Sequence, residues 1–234
     1  MPTPVARATV ATGTIGTSIG LTIGTGGTAG ATAAGSTLVI AVSHGGATVQ
    51  QVTSITDSAG NTWSALTTGG LNAGEPLTIE GWICQNALSI ANGGTVTINH
   101  SSLGRRTARL IEVPGVRAAS LDKNVGQNAT TSGTAMTTPS SGVLAQADEI
   151  VLCFYVWDTA AVTSSVSAPW TKFADLDGNQ AGTHSLSSGE WQETAATTAV
   201  TGAQTLSTSS PWTGFMVTLK VGAATPTWVP KIMG

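Results

Sequence analysis

Hydrophobic and polar positions alternate along this chain in short stretches, as in Leu77-Thr-Ile79 and Val96-Thr-Ile98, with Gly, Ser, Asn and Asp between the stretches. A period of two is the pattern of a strand with one face in a core, and turn signals about every 8–12 residues are those of a β-sandwich. Two runs are more continuous: Ser36-Thr-Leu-Val-Ile-Ala-Val-Ser43 and Glu149-Ile-Val-Leu-Cys-Phe-Tyr-Val-Trp157. No long segment carries apolar residues at helical spacing between caps. The pattern predicts an all-β fold, an antiparallel β-sandwich of jelly-roll type with about ten to thirteen strands in two sheets. Val52, Ile55, Trp63, Leu66, Leu77, Ile79, Val96, Ile98, Leu110 and Val113 are the expected core.

The same elements return in order after about 110 residues, an internal repeat. Ser36–Ser43 matches Glu149–Trp157, and Val52–Leu66 with its late Trp63 matches Val162–Phe173 with Trp170. Leu77–Cys84 matches Ser185–Gln192, with Trp82 and Trp191 taken as equivalent; Gly94–His100 matches Gly202–Thr208, and Ala108–Val113 matches Phe215–Val221. The predicted organisation is one sandwich, 1–221, of two pseudo-repeated halves (about 1–116 and 117–221), each contributing strands to both sheets. Residues 222–234 are left as a C-terminal docking tail. Gly24–Gly35, made almost wholly of Gly, Thr and Ala, is a loop, either mobile or closely packed.

Composition narrows the function. Charged residues are only 9% of the 234, and the net charge is −3, which argues against nucleic-acid binding. Arg105, Arg106 and Arg109 come nearest to a basic patch and read as a solvated strand edge. Met1–Arg7 lacks the pattern of a secretory leader, and Ile150–Trp157 is too short and too polar to span a bilayer, so no membrane partner is expected. Cys84 and Cys153 lie in apolar runs and are expected as buried free thiols.

Catalytic and metal chemistry find little support. Asp57-Ser-Ala-Gly-Asn61 and Asp175-Leu-Asp-Gly-Asn179 read as turns, the side chains bonding their own backbone; the second lacks the glutamate of a calcium loop. His44, before Gly-Gly in a loop, His100 and His184 follow no metal-ligand spacing. Asp148-Glu149 and Glu190 with Glu193 are carboxylate pairs, but nothing in the pattern makes two acids converge as glycosidic cleavage requires. The expectation is a non-enzyme with no cofactor and no metal.

Seven tryptophans stand against one tyrosine and three phenylalanines. Those matched by the repeat (Trp63, Trp82, Trp170, Trp191) are expected in the core. Trp157 and Trp212 are not matched, and Trp228, Val229, Ile232 and Met233 make the tail apolar; these six are the expected partner-binding residues.

Gly35–Val42 followed by Val52-Thr-Ser-Ile-Thr-Asp-Ser-Ala-Gly-Asn-Thr-Trp63 resembles a β-sandwich module recurring in structural proteins of tailed phages and in bacterial surface proteins. The resemblance implies a virion structural role, as a head decoration protein or a minor tail protein assembled in the host cytoplasm. Its implied partners are the major capsid protein or tail proteins of the same particle, with a homo-oligomer of the chain itself. The same kind of module occurs in carbohydrate-binding and adhesive proteins, which makes a surface glycan the alternative partner.

Overall fold

A computed structural model describes residues 2–45, 51–66, 77–127 and 132–222, with 69–72 as backbone only. Among these residues there is no helix. In chain order the first half runs β1 (Val5–Thr12), β2 (Gly16–Thr22), β3 (Thr37–Gly45), β4 (Val52–Asp57), β5 (Ser64–Ala65), β6 (Gly69–Asn72), β7 (Leu77–Cys84), β8 (Thr95–Leu103) and β9 (Arg106–Val113). The second runs β10 (Val116–Gln127), β11 (Ser132–Thr137), β12 (Glu149–Trp157), β13 (Ser164–Val166), β14 (Thr171–Asp177), β15 (Leu186–Thr194) and β16 (Ala203–Val221).

Both halves are wound in the same way. The first pairs its strands β1-β9-β3-β7-β5 in a large sheet, with β6 also on β7, and β2-β8-β4 in a small one. The second pairs β10-β16-β12-β15-β14 in a large sheet, while β11 and β13 flank the N-terminal part of β16. First strand therefore lies beside last, and second beside penultimate, the nested pairing of a jelly roll. β16 does alone what β8 and β9 do together: residues 203–211 belong to the small sheet and 212–221 to the large one. Pro211 stands where the strand passes from one sheet to the other, a place that tolerates a residue without an N–H.

The apolar residues sort into three layers of core. One, with Ala41, Ile79 and Ile111 from the first half and Leu152, Phe154 and Phe215 from the second, lies between the two large sheets. A second fills the space between β3-β7-β9 and β2-β8-β4. The third does the same in the second half, beneath Met136, Val162 and Leu206. The order of layers is small, large, large, small. Here the structure differs from the two shared sheets expected: each half closes its own sandwich, and the two sandwiches stack through their large sheets. That is why β3 and β12 are unbroken apolar runs, for every residue of β12 and all but the last of β3 are buried. All the expected core residues are buried except the four tryptophans Trp63, Trp82, Trp170 and Trp191, which are half-buried and pack against the core from its rim.

Gly24–Gly35 is closely packed against β1, with the Gly24 N–H donating to Arg7 O (2.8 Å) and that of Thr28 to Ala6 O (2.7 Å). The three arginines read as a solvated edge are buried instead. Arg105 and Arg109 reach into the seam between the halves, where oxygens of the second half take up their guanidinium groups. Arg106 bonds within the first half, to Ser18 O and His100 Nε2. Arg105 donates to Asp158 Oδ1 (2.7 Å) and His184 O (2.9 Å), and Arg109 to Ala174 O (2.7 Å). A Cβ at Gly178 would lie 2.6 Å from the Arg106 carbonyl oxygen, so the second half's β14–β15 turn approaches as closely as backbone allows.

Candidate functional site

The tail residues Trp228, Val229, Ile232 and Met233 lie outside the described residues. Trp157 and Trp212 do not face a partner. They sit opposite one another across β12 and β16, at 0% and 4% exposure, and the Trp157 Nε1–H donates to Val162 O (3.1 Å). The sheet face that carries them is covered by β11, β13 and the N-terminal part of β16, so both rings are core.

The repeat's tryptophan pairing is also corrected. Trp63 and Trp170 do pack on corresponding outer cores, but Trp82 faces the outer core of its half whereas Trp191 faces the central one. The equivalent residues are the glycines beside them. Gly81 and Gly189 both face the central layer, and a Cβ on either would come within 2.8 Å of a phenylalanine ring, Phe215 and Phe154 respectively. This register makes Glu80 equivalent to Ser188 and Trp82 to Glu190. A shift of one residue moves a side chain to the other face of a sheet.

Superposed this way, the halves differ at one edge. In the second, β13 and β14 are clasped: the Asp175 carboxylate accepts from Ser164 N (3.1 Å), Ser164 Oγ (2.8 Å) and Lys172 Nζ (2.9 Å), and Lys172 also donates to Ser164 O. In the first, β5 is only two residues long and, among the described residues, β4 pairs with β8 alone. Between them opens a cleft of about 380 Å³ lined by Val52, Thr53, Ala65, Leu66, Glu80 and Trp82. That volume is within the roughly 300–1,000 Å³ of small-molecule sites.

Glu80 forms the floor. Its Oε1 accepts from His44 Nε2 (2.7 Å) and Gln51 N (2.6 Å), while among the described residues Oε2 receives only a long, shared contact from Val52 N (3.3 Å). His44 therefore lies inside β3, wholly buried, and not in a loop. Behind it, Arg106 Nη1 donates to His100 Nε2 (2.6 Å) and Ser18 O (2.8 Å). An arginine can only donate, so His100 Nε2 accepts and its Nδ1–H points to Ser101 O (2.5 Å). Burial, with Arg106 and His44 close by, lowers the His100 pKa and keeps this imidazole neutral.

The other residues weighed for chemistry are used structurally. Asp57 accepts from Ala59 N (2.8 Å) and from Trp63 Nε1 (2.7 Å), which closes the turn and sets the indole on the outer core. Asp177 bonds His184 (2.9 Å). Glu190 is buried and accepts from Tyr155 Oη (2.9 Å) and Ala203 N (2.8 Å); Glu193, three positions on, faces the opposite side of the strand. Both cysteines are free and buried, in different halves. No protein-family model, curated protein or solved structure matches the chain.

Proposed function

We propose that the chain is a non-enzymatic structural protein of a phage particle, a head decoration protein on the capsid surface or else a minor tail component. The observation that carries this reading is the stacking of two jelly rolls through their large sheets. The jelly roll is a common unit of viral shells. Here its interior strands are buried on both faces, and buried arginines lock one half to the other. Such a body keeps its shape under load. A surface of Thr, Ser, Gly and Ala rather than charge, and the turn run ending at Trp63, support the same reading.

The partners in this reading are the major capsid protein or tail proteins of the particle and further copies of the chain. The 222–234 segment, with Trp228, Val229, Ile232 and Met233, supplies the anchor. The test is incorporation. Full-length chain should co-purify with particles through a density gradient, and deletion of 222–234 should leave its melting temperature unchanged while removing it from them. Normal incorporation of the truncated chain overturns the anchor. A full chain found on no particle overturns the reading, and labelled antibody on tails instead of heads selects the tail component.

A further inference from the structure

We infer that the cleft between β4 and β5 is a binding site for a neutral saccharide, with the indole of Trp82 as the stacking platform and Glu80 Oε2 as acceptor for a sugar hydroxyl. The inference is independent of where the protein is mounted.

The internal repeat serves as a reference. What both halves share is needed to build a jelly roll, and what one half alone has is free to serve something else. The glycine under a phenylalanine is shared. The open edge is not: the second half closes the same place with Lys172, Asp175 and Ser164. At the two positions facing the opening the first half carries Glu80 and Trp82, where the second has Ser188 and Glu190. The Asp175 clasp has no counterpart at β4 and β5 among the described residues, and the opening there is of ligand size.

The lining decides the ligand class. A sugar ring offers an apolar C–H face and a rim of hydroxyls. Trp82 is half-buried and its side chain lines the cleft, with Val52, Ala65 and Leu66 around it. Thr53 and Glu80 add polar groups on the same wall. A carboxylate can accept at about four sites. Glu80 Oε1 is filled, whereas Oε2 holds one contact at 3.3 Å and can accept an O–H donor. The charge of Glu80 is already met by the His44 N–H, with Arg106 behind it near His100. An anionic ligand would meet the carboxylate, and a cationic one would compete for it with the His44 N–H. A neutral polyol meets neither difficulty.

The test titrates the full chain, labelled at the indole nitrogens, with the methyl glycosides of glucose, galactose, mannose and N-acetylglucosamine. At least one should give saturable shifts centred on the Trp82 Nε1–H. Affinity should fall about tenfold or more in Trp82→Ala, equivalent to about 1.4 kcal/mol or more. Trp82→Phe should recover part of it, and Ala65→Leu, which fills the exposed rim without touching the core, should abolish it. Glu80→Gln should weaken binding if it folds; Ala65→Leu keeps the test decisive if it does not. No saturable shift with any glycoside, or binding that survives both Trp82→Ala and Ala65→Leu, overturns the inference. Saturable binding of choline at the same indole, with none of the glycosides, overturns the ligand class.

Discussion

Gly81 lies against Phe215 across the stack: a Cβ there would stand 2.8 Å from two carbons of the ring. The ring cannot step aside, because it packs on Phe154 with centroids 5.1 Å apart. The backbone at Gly81 has no positive φ. Alanine at this position gains in the unfolded state but clashes in the folded one. Overpacking of a rigid core costs about 1–3 kcal/mol, more than the ~0.4–1 kcal/mol gained from reduced chain entropy. Gly81→Ala should therefore lower stability in chemical denaturation, and Phe215→Leu in the same chain should relieve part of the loss. An unchanged midpoint would show that the two large sheets are not so closely stacked.

Arg109 is expected to hold the halves together. It is wholly buried, donates to Ala174 O (2.7 Å) and lies 5.9 Å from the Phe173 ring centre. Burial lowers its pKa to about 10, with Asp175 opposing, so it remains charged at neutral pH. Arg109→Ala leaves a cavity and a stranded carbonyl, a loss of about 3 kcal/mol or more. Arg109→Met refills the space and should cost about 1–2 kcal/mol. Equal losses in the two variants would place the effect in charge and not in packing.

Glu190 should make stability depend on pH. Burial raises its pKa from 4.5 to about 7, while the bonds from Tyr155 and Ala203 oppose the rise. The folded state thus holds this proton more tightly than the unfolded chain. Stability contributed by the neutral acid is full below about pH 4.5 and is lost as pH rises to about 7, a fall on the order of 3 kcal/mol in the limit. Glu190→Gln should flatten that window when denaturation is measured at pH 5 and pH 8. A wild-type curve as flat as the variant's would contradict it.

Cys84 and Cys153 should be silent toward thiol reagents in the folded protein. Burial, and then Asp57, push the Cys84 thiol up to about 11, and burial with Glu190 nearby raises Cys153 well above its ordinary value. Two thiols should react once denaturant unfolds the chain. Fewer than two would indicate a bond between them.

Much of the fold was legible in the residues because strand formation is local. Alternation, turn dipeptides and the repeat place the strands, and Asp57-Ser-Ala-Gly-Asn61 specifies its turn through contacts within six residues of itself. The cleft was not legible. It depends on β5 ending after two residues and on which way Glu80 and Trp82 point, and a one-residue ambiguity in the repeat conceals that. Aligning tryptophan with tryptophan chose the wrong register; the glycines carried the correct one, since only they meet the same phenylalanine layer.

The chain by itself determined an all-β, antiparallel, jelly-roll-like architecture in two repeated halves, because pattern and turn chemistry act over a few residues. Tertiary structure alone decided that these halves are separate sandwiches stacked through their large sheets. It also decided that Trp157, Trp212 and the three arginines are interior and that Glu80 and Trp82 line a cleft between β4 and β5. Each of these depends on what covers a given face, and that is set by residues about a hundred positions away.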